Sequence, residues 1–359
     1  MRKSLSLDGT KSPLVMRCKL KNKDNKNIKV NWVFNGSSIT LDGCTFNSNS
    51  IVSDRMVGIL NVEGEYFNIT IENPLSFTEL GNENISIFGR MWQNDFIATL
   101  LNPEILREFI NLKKLTVLGD NAITGTTIDL SKLDKLDKIH LNVGTSFYCI
   151  PPNVEHATLI WGPHARVFYD ISNAYLLKDF RASPKENTDI STLTCQDTLE
   201  ILKMPISQGL TGDISIFSNY TRMKTLALCS ITNDSIPEHF VPDMYGDITK
   251  LPKSVTKFAI GNQPNISFEN VDGTKKLFDK IDVWNSKNYY MSKEILVKVV
   301  KSLSLSDIGP KSKICLYGKV PVDSDTEYVE YTSAIDSINS RTSNISISDV
   351  YSEVENYNI

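Results

Sequence analysis

One pattern recurs down the middle of the chain: three apolar residues spaced as L-x-x-L-x-L. It occurs at Leu112/Leu115/Val117, Leu136/Ile139/Leu141, Val154/Ala157/Leu159 and Leu177/Phe180/Ala182. It continues at Leu199/Leu202/Met204, Met223/Leu226/Leu228, Val255/Phe258/Ile260 and Phe278/Ile281/Val283, and Lys311/Ile314/Leu316 keeps only the last two positions. Successive starts are 24, 18, 23, 22, 24, 32, 23 and 33 residues apart. A segment of that length cannot bury its own triplet, so neighbours must stack and share one interior. The spacing therefore predicts a solenoid of roughly nine parallel strands about 4.8 Å apart. The two long intervals have local causes. An insertion marked by Pro237 and Pro242 lengthens one. In the other, Ile295, Leu296, Val299, Val300 and Leu303 fall on one face of a helix, with Ser292 as its cap and Glu294 at its positive end.

A second signal returns between triplets. Ile123-Thr124-Gly125-Thr126-Thr127-Ile128, Leu210-Thr211-Gly212-Asp213-Ile214-Ser215 and Tyr245-Gly246-Asp247-Ile248-Thr249 share a glycine, a polar residue and then an isoleucine. Glycine permits a tight turn there, and the isoleucine returns an apolar side chain to the interior. The run from Leu210 to Leu228, TGDIS followed by L-x-x-L-x-L-type spacing, resembles the repeat of irregular leucine-rich-repeat proteins of Bacteroides-like gut bacteria and their tailed phages. Met291-Ser292-Lys293-Glu294-Ile295-Leu296, Ile314-Cys315-Leu316-Tyr317-Gly318 and Arg341-Thr342-Ser343 resemble the terminal arrangement of the same proteins. The resemblance spans roughly residues 80–345. It implies a surface or virion component that adheres to host structures. The asparagine of the strict repeat is displaced, with Asp120, Gly144, Gly162 and Ser207 in its place, so the resemblance implies an irregular coil and specifies no ligand.

The two ends read differently. Before residue 80, Ile28–Phe34, Ile39–Leu41, Val57–Val62 and Tyr66–Ile71 are short β-type runs separated by Asn35-Gly36, Asp42-Gly43 and Glu63-Gly64. They predict a small antiparallel, β-sandwich-like domain over 1–80. Residues 81–318 are read as the solenoid. It begins with a capping strand at Ile85–Phe88 and a helix capped by Asn102, with Ile105, Leu106, Phe109 and Ile110 facing inward. Residues 319–359 are read as a polar cap and acidic tail, with a short helix over Ala334–Ile338. The fold class is thus mainly β with short helices.

Composition narrows function chiefly by exclusion. The formal charge is −4, which argues against a nucleic-acid partner, since phosphate binding needs a basic surplus. No run of 18 apolar residues and no apolar stretch after Met1-Arg2-Lys3 are present, so neither membrane insertion nor a signal peptide is expected. Virion, cell surface and cytoplasm remain as locations. The six cysteines show no C-x-x-C pair and read as free thiols, Cys229 among them within an apolar run. His140, His156, His164 and His239 show no metal-ligand spacing, and no nucleophile elbow or phosphate loop occurs. No metal or other cofactor is expected. The acids Asp137, Glu155, Asp179, Glu200, Asp279 and Asp282 fall at outward strand positions, each beside Lys, Arg or His. That pattern favours charge pairing over the raised pKa of a glycosidase acid.

The outward positions themselves make two files. One runs Thr116, His140, Thr158, Arg181, Lys203, Ala227, Ala259, Asp282 and Cys315. The other runs Lys114, Lys138, His156, Asp179, Ile201, Thr225, Lys257, Lys280 and Lys313. Lys138, His140, His156, Asp179, Arg181 and Lys203 form a basic, hydrogen-bonding stretch suited to an acidic glycan or an acidic protein patch. The same residues also fit a face kept charged for solubility. The sequence predicts a non-enzymatic binding or adhesion module whose partner is a protein or surface glycan, or a neighbouring virion subunit. A carbohydrate-active enzyme and a purely structural virion component stay open beside it.

Overall fold

The computed structural model describes residues 13–20, 26–33, 39–52, 55–72, 75, 79–80, 96–98, 108–119, 128–143, 147–159, 168–171, 173–182, 188–193, 195–204, 210–228, 243–261 and 265–349. The chain divides into two compact units, Met1–Leu177 and Lys178–Ile359.

The first unit contains β1 Leu14–Leu20, β2 Asn27–Val33, β3 Ile39–Asp42, β4 Cys44–Val52, β5 Arg55–Val62, β6 Tyr66–Ile71 and β7 Glu79–Leu80. After these come β8 Phe96–Ala98, β9 Lys114–Gly119, β10 Ile128–Asp129, β11 Lys138–Val143, β12 Phe147–Cys149, β13 His156–Leu159 and β14 Phe168–Asp170. Antiparallel pairing joins β3-β6-β1-β8 in one sheet and β2-β5-β4 in another. Alternation decides which side is apolar: Phe67, Ile69 and Ile71 on β6 are buried, as are Leu60 and Val62 on β5. Strand β8 pairs with β1, while β7 already lies parallel to β9. The parallel strands run β7-β9-β11-β13 in one sheet and β10-β12-β14 in a second. The strand expected at Ile85–Phe88 and the helix start at Asn102, with Ile105 and Leu106, lie outside the described residues. At that helix's expected end Phe109 is buried, but Ile110 is 45% exposed rather than inward. Residues 108–111 turn instead of continuing a helix, and Leu112 N–H donates to the Phe109 carbonyl.

The second unit contains β15 Asp179–Ala182, β16 Thr188–Asp189, β17 Ile201–Lys203, β18 Leu210–Asp213, β19 Thr225–Leu228 and β20 Asp243–Asp247. It continues with β21 Lys257–Gly261, β22 Asn265–Ser267, β23 Lys280–Asn288, helix α1 Lys293–Ser304, β24 Asp307–Tyr317, helix α2 Tyr328–Asn339 and β25 Ile345–Ser348. One parallel sheet has the order β15-β17-β19-β21-β23-β24-β25, and a second has β16-β18-β20-β22. Leu202, Leu226 and Phe258 are register partners across β17, β19 and β21, and all three are buried. Phe268, just past β22, meets Trp284 of β23 edge-on at 6.4 Å, so the two sheets of this unit share one interior.

The Gly-Asp-Ile signal has a local explanation here. Asp189, Asp213 and Asp247 each cap a short 3-10 turn, accepting from the N–H of Ser191, Ser215 and Thr249 at 2.8 Å. Ile190, Ile214 and Ile248 then point inward and are buried. Gly212 and Gly246 adopt φ of +112° and +118°. A Cβ on Gly212 would lie 2.9 Å from Asp189 Oδ1 and 3.0 Å from Ile190 Cγ1. The aspartate of one segment therefore occupies the space that the next segment's glycine leaves.

The structure corrects the eighth and ninth triplets. Thr256 and Asp282 are joined by a backbone hydrogen bond of 2.8 Å, and Phe258 pairs with Trp284. The inward set on β23 is therefore Ile281, Trp284 and Ser286, each 0% exposed, whereas Val283 is half-buried. Hydropathy hides this set because its third member is polar: Ser286 Oγ accepts from Trp284 Nε1 at 3.0 Å. On β24 the register slips between Ile281↔Ile308 and Val283↔Lys313. Lys311, the polar residue that spoiled the ninth match, is exposed in that bulge. Buried Ser312 holds the bulge, donating to the Ile281 carbonyl at 2.6 Å and accepting from Gly309 N–H at 3.0 Å.

The two helices expected after residue 290 both form. Ser292 Oγ caps α1, and Leu296, Val299, Val300 and Leu303 are buried, while Ile295 is half-buried. Helix α2 is longer than the expected segment and buries Tyr331, Ala334 and Ile338. Lys293–Asp325 at 2.9 Å and Lys301–Glu330 at 2.6 Å tie α1 to residues at and before α2. Arg341 donates to the carbonyls of Ser304, Ser306 and Ser337, supplying partners for the acceptors left open at two helix ends.

Candidate binding face

Phe180 and Ala182 are buried, so by strand alternation Asp179 and Arg181 project to the opposite, outward face of β15. Arg181 Nε donates to Asp179 Oδ1 at 2.9 Å and Nη2 to Oδ2 at 2.6 Å, a forked ion pair that raises the guanidinium pKa further. Arg181 is the register partner of Lys203 on β17. Burial pushes the Lys203 pKa down, and the charges of Arg181 and Lys257 push the same way against Asp179. Two cations thus sit on adjacent strands, half-buried, with a third on β21.

The outward files are interrupted rather than continuous. Thr225 and Ala227 on β19 are each 5% exposed, and Ala259 on β21 is fully buried although its neighbours Phe258 and Ile260 also face the interior. Across β23 the register correction places Val283 and Asn285 in the files, where Lys280 and Asp282 were expected. Within the first unit, Lys138 pairs in register with Lys114 and His156, and His140 with Thr116 and Thr158. His156 is exposed there, while Lys138 and His140 are half-buried.

The acids fall in a different place. Lys178, Glu200, Lys224 and Thr256, each just ahead of a triplet strand, and Asp282 within β23 follow one another through backbone bonds of 2.8 to 2.9 Å. In the first unit Lys113, Asp137 and Glu155 repeat the arrangement. Sequence reasoning missed this third column because, Asp282 apart, it lies one residue before the strand, where apolar periodicity carries no signal. Glu200 Oε2 accepts from Lys224 Nζ at 2.6 Å, which holds the carboxyl below its ordinary range, aided by Arg222 and Lys178. Burial raises Asp282, but hydrogen bonds from Lys280 and Thr256 outweigh it and keep its pKa low. Asp279 is 2.9 Å from Lys276.

Among the described residues, no three His, Cys, Asp or Glu side chains gather within reach of a metal ion, and no helix is long and apolar enough to cross a membrane. His164, His239 and Cys229 lie outside the described residues. Cys195 is a free thiol, 1% exposed, and burial pushes its pKa up to about 11, which leaves it protonated and unreactive. The chain matches no family model, no curated protein and no solved structure, so its chemistry alone carries the functional reading.

Proposed function

We propose that this protein is a non-enzymatic binding module, a virion tail or appendage component or a bacterial surface protein. Its leucine-rich-repeat solenoid presents a polar face to an acidic glycan or protein surface. The observation that carries the reading is the placement of Arg181 and Lys203 side by side in register, half-buried, on the outward face of a parallel sheet. Asp179 already offsets part of that charge, and an anionic partner would meet the remainder. The reading is supported by the contrast with the whole chain, whose formal charge is −4. Lys138, His140 and His156 offer a comparable polar stretch in the first unit. The solenoid is supported by the register of Leu202, Leu226 and Phe258 on successive parallel strands and by the second parallel sheet behind them.

Binding without catalysis is supported by the acids. Asp179, Glu200, Asp279 and Asp282 each have a lysine or arginine within 3 Å, and the carboxyls of Glu200 and Asp282 are held below their ordinary range, the opposite of what a proton donor needs. The test incubates the protein with immobilised acidic surface polysaccharide and an acidic protein, and reads both retention and released reducing ends. Retention that drops at least tenfold in Arg181→Ala/Lys203→Met, without release, is the expected result. Release of reducing ends, or retention unchanged in the double variant, overturns the reading.

A further inference from the structure

At the start of β17, β19 and β21 lies a cavity of about 390 Å³, lined by Glu200, Thr221, Arg222, Lys224, Ser254 and Thr256. Its size is within the range of roughly 300–1,000 Å³ in which small-molecule sites fall. Its walls are set by the backbone. Lys224 N–H donates to the Glu200 carbonyl at 2.8 Å and Thr256 N–H to the Lys224 carbonyl at 2.9 Å, which fixes three side chains at strand spacing. Lys224 Nζ holds Glu200 through Oε2, leaving Oε1 on the same carboxylate able to accept another hydrogen bond. Ser254 Oγ donates to the Met223 carbonyl and keeps its lone pairs for an incoming hydroxyl. Arg222 is exposed and lines the cavity, which puts its N–H donors within reach of a ligand bound there.

The mixture of groups selects the ligand. A small inorganic anion would engage Arg222 and Lys224 but leave the Glu200 acceptor and the side-chain hydroxyls without a donor or acceptor to meet. A neutral sugar would leave the guanidinium fork unused. A pyranose carrying a carboxylate uses every group: the fork for its carboxylate, Glu200 as acceptor for ring hydroxyls, and the side-chain hydroxyls for the remainder. We propose that this cavity binds one carboxylate-bearing sugar residue of an acidic polysaccharide. Its carboxylate rests on Arg222, and its hydroxyls on Glu200, Thr221 and Ser254. The inference rests on the binding reading above and narrows its ligand to a uronate-type glycan.

Glu200 makes the test discriminating. Full-length protein is titrated with polygalacturonate, dextran sulfate and uncharged dextran, and Arg222→Ala, Glu200→Gln and Arg181→Ala/Lys203→Met are compared with the wild type. The expected order for the wild type is polygalacturonate, then dextran sulfate, with no binding of dextran. Arg222→Ala loses at least tenfold in affinity for polygalacturonate. Glu200→Gln loses severalfold although it makes the surface more positive, a result that general charge attraction cannot give. Tighter polygalacturonate binding by Glu200→Gln, or equal affinity for dextran sulfate, overturns the uronate site. If the wild type binds polygalacturonate and only Arg181→Ala/Lys203→Met weakens it, the cavity fails while the face survives. No binding of any acidic polymer sinks both. Circular dichroism of each variant confirms that these surface changes leave the fold intact.

Discussion

Strands β17, β19 and β21 belong to the same parallel sheet as β23 and β24, but the two regions keep register by different means. In the first, each strand brings an apolar triplet, and Leu202, Leu226 and Phe258 meet without interruption. In the second, a tryptophan–serine hydrogen bond replaces the third apolar residue, and a serine-held bulge absorbs three extra residues of β24. Apolar spacing sets register only where every inward position is apolar. Where polar side chains turn inward, the hydrogen bonds that satisfy them set it instead.

The comparison can be broken by substitution. Trp284→Ala, which empties a fully buried site among Phe258, Phe268 and Phe278, is expected to destabilise by about 3–5 kcal/mol in urea unfolding, and Val283→Ala by less than about 1 kcal/mol. Equal losses would restore the register read from spacing alone. Leu226→Ala should cost about 2–5 kcal/mol as a cavity in the uninterrupted region. An unchanged midpoint there would remove the shared interior. Gly246→Ala puts a Cβ against Asp213 and Ile214 at φ +118°, and a loss of about 1–3 kcal/mol is expected. Gly64→Ala, with open space around it, serves as the neutral control.

The smallest effect is the most informative about function. The folded-state pKa of Lys203 is lowered, so its charged form is disfavoured by folding, and that penalty is present at neutral pH. Wild-type stability should therefore rise as pH climbs through the folded pKa toward the ordinary lysine value. Lys203→Met should be slightly more stable than wild type at pH 7, by a few tenths of a kcal/mol after allowance for solvent screening, with the gap closing in alkali. A variant less stable at pH 7 would mean that Lys203 is held for the fold rather than for a ligand.

Much of this was legible in the sequence. The triplets from Leu199 to Ile260, the cap at Ser292 and the turns at Gly212 and Gly246 follow from local spacing, and the structure places each where the spacing says, while Gly125 of the third such signal lies outside the described residues. Arg181 and Lys203 were readable as neighbours for the same reason. Trp284 and Ser286 were not, because a buried serine looks like a surface residue until its partner is known. Nor was the column of Glu200, Lys224 and Asp282, which hydrogen bonds define and hydropathy does not. Arg222 carried no signal in the pattern, since its importance comes from a cavity between segments.

Residues 229–242 separate β19 from β20, yet β19 pairs directly with β21 and β18 directly with β20. Both ladders close on either side of that junction, so their pairing sets no fixed number of residues between the two strands. Loop-closure entropy rises only slowly with length. This junction is accordingly a natural place to graft a foreign peptide, and a lineage of such proteins could diversify there while the scaffold stayed the same.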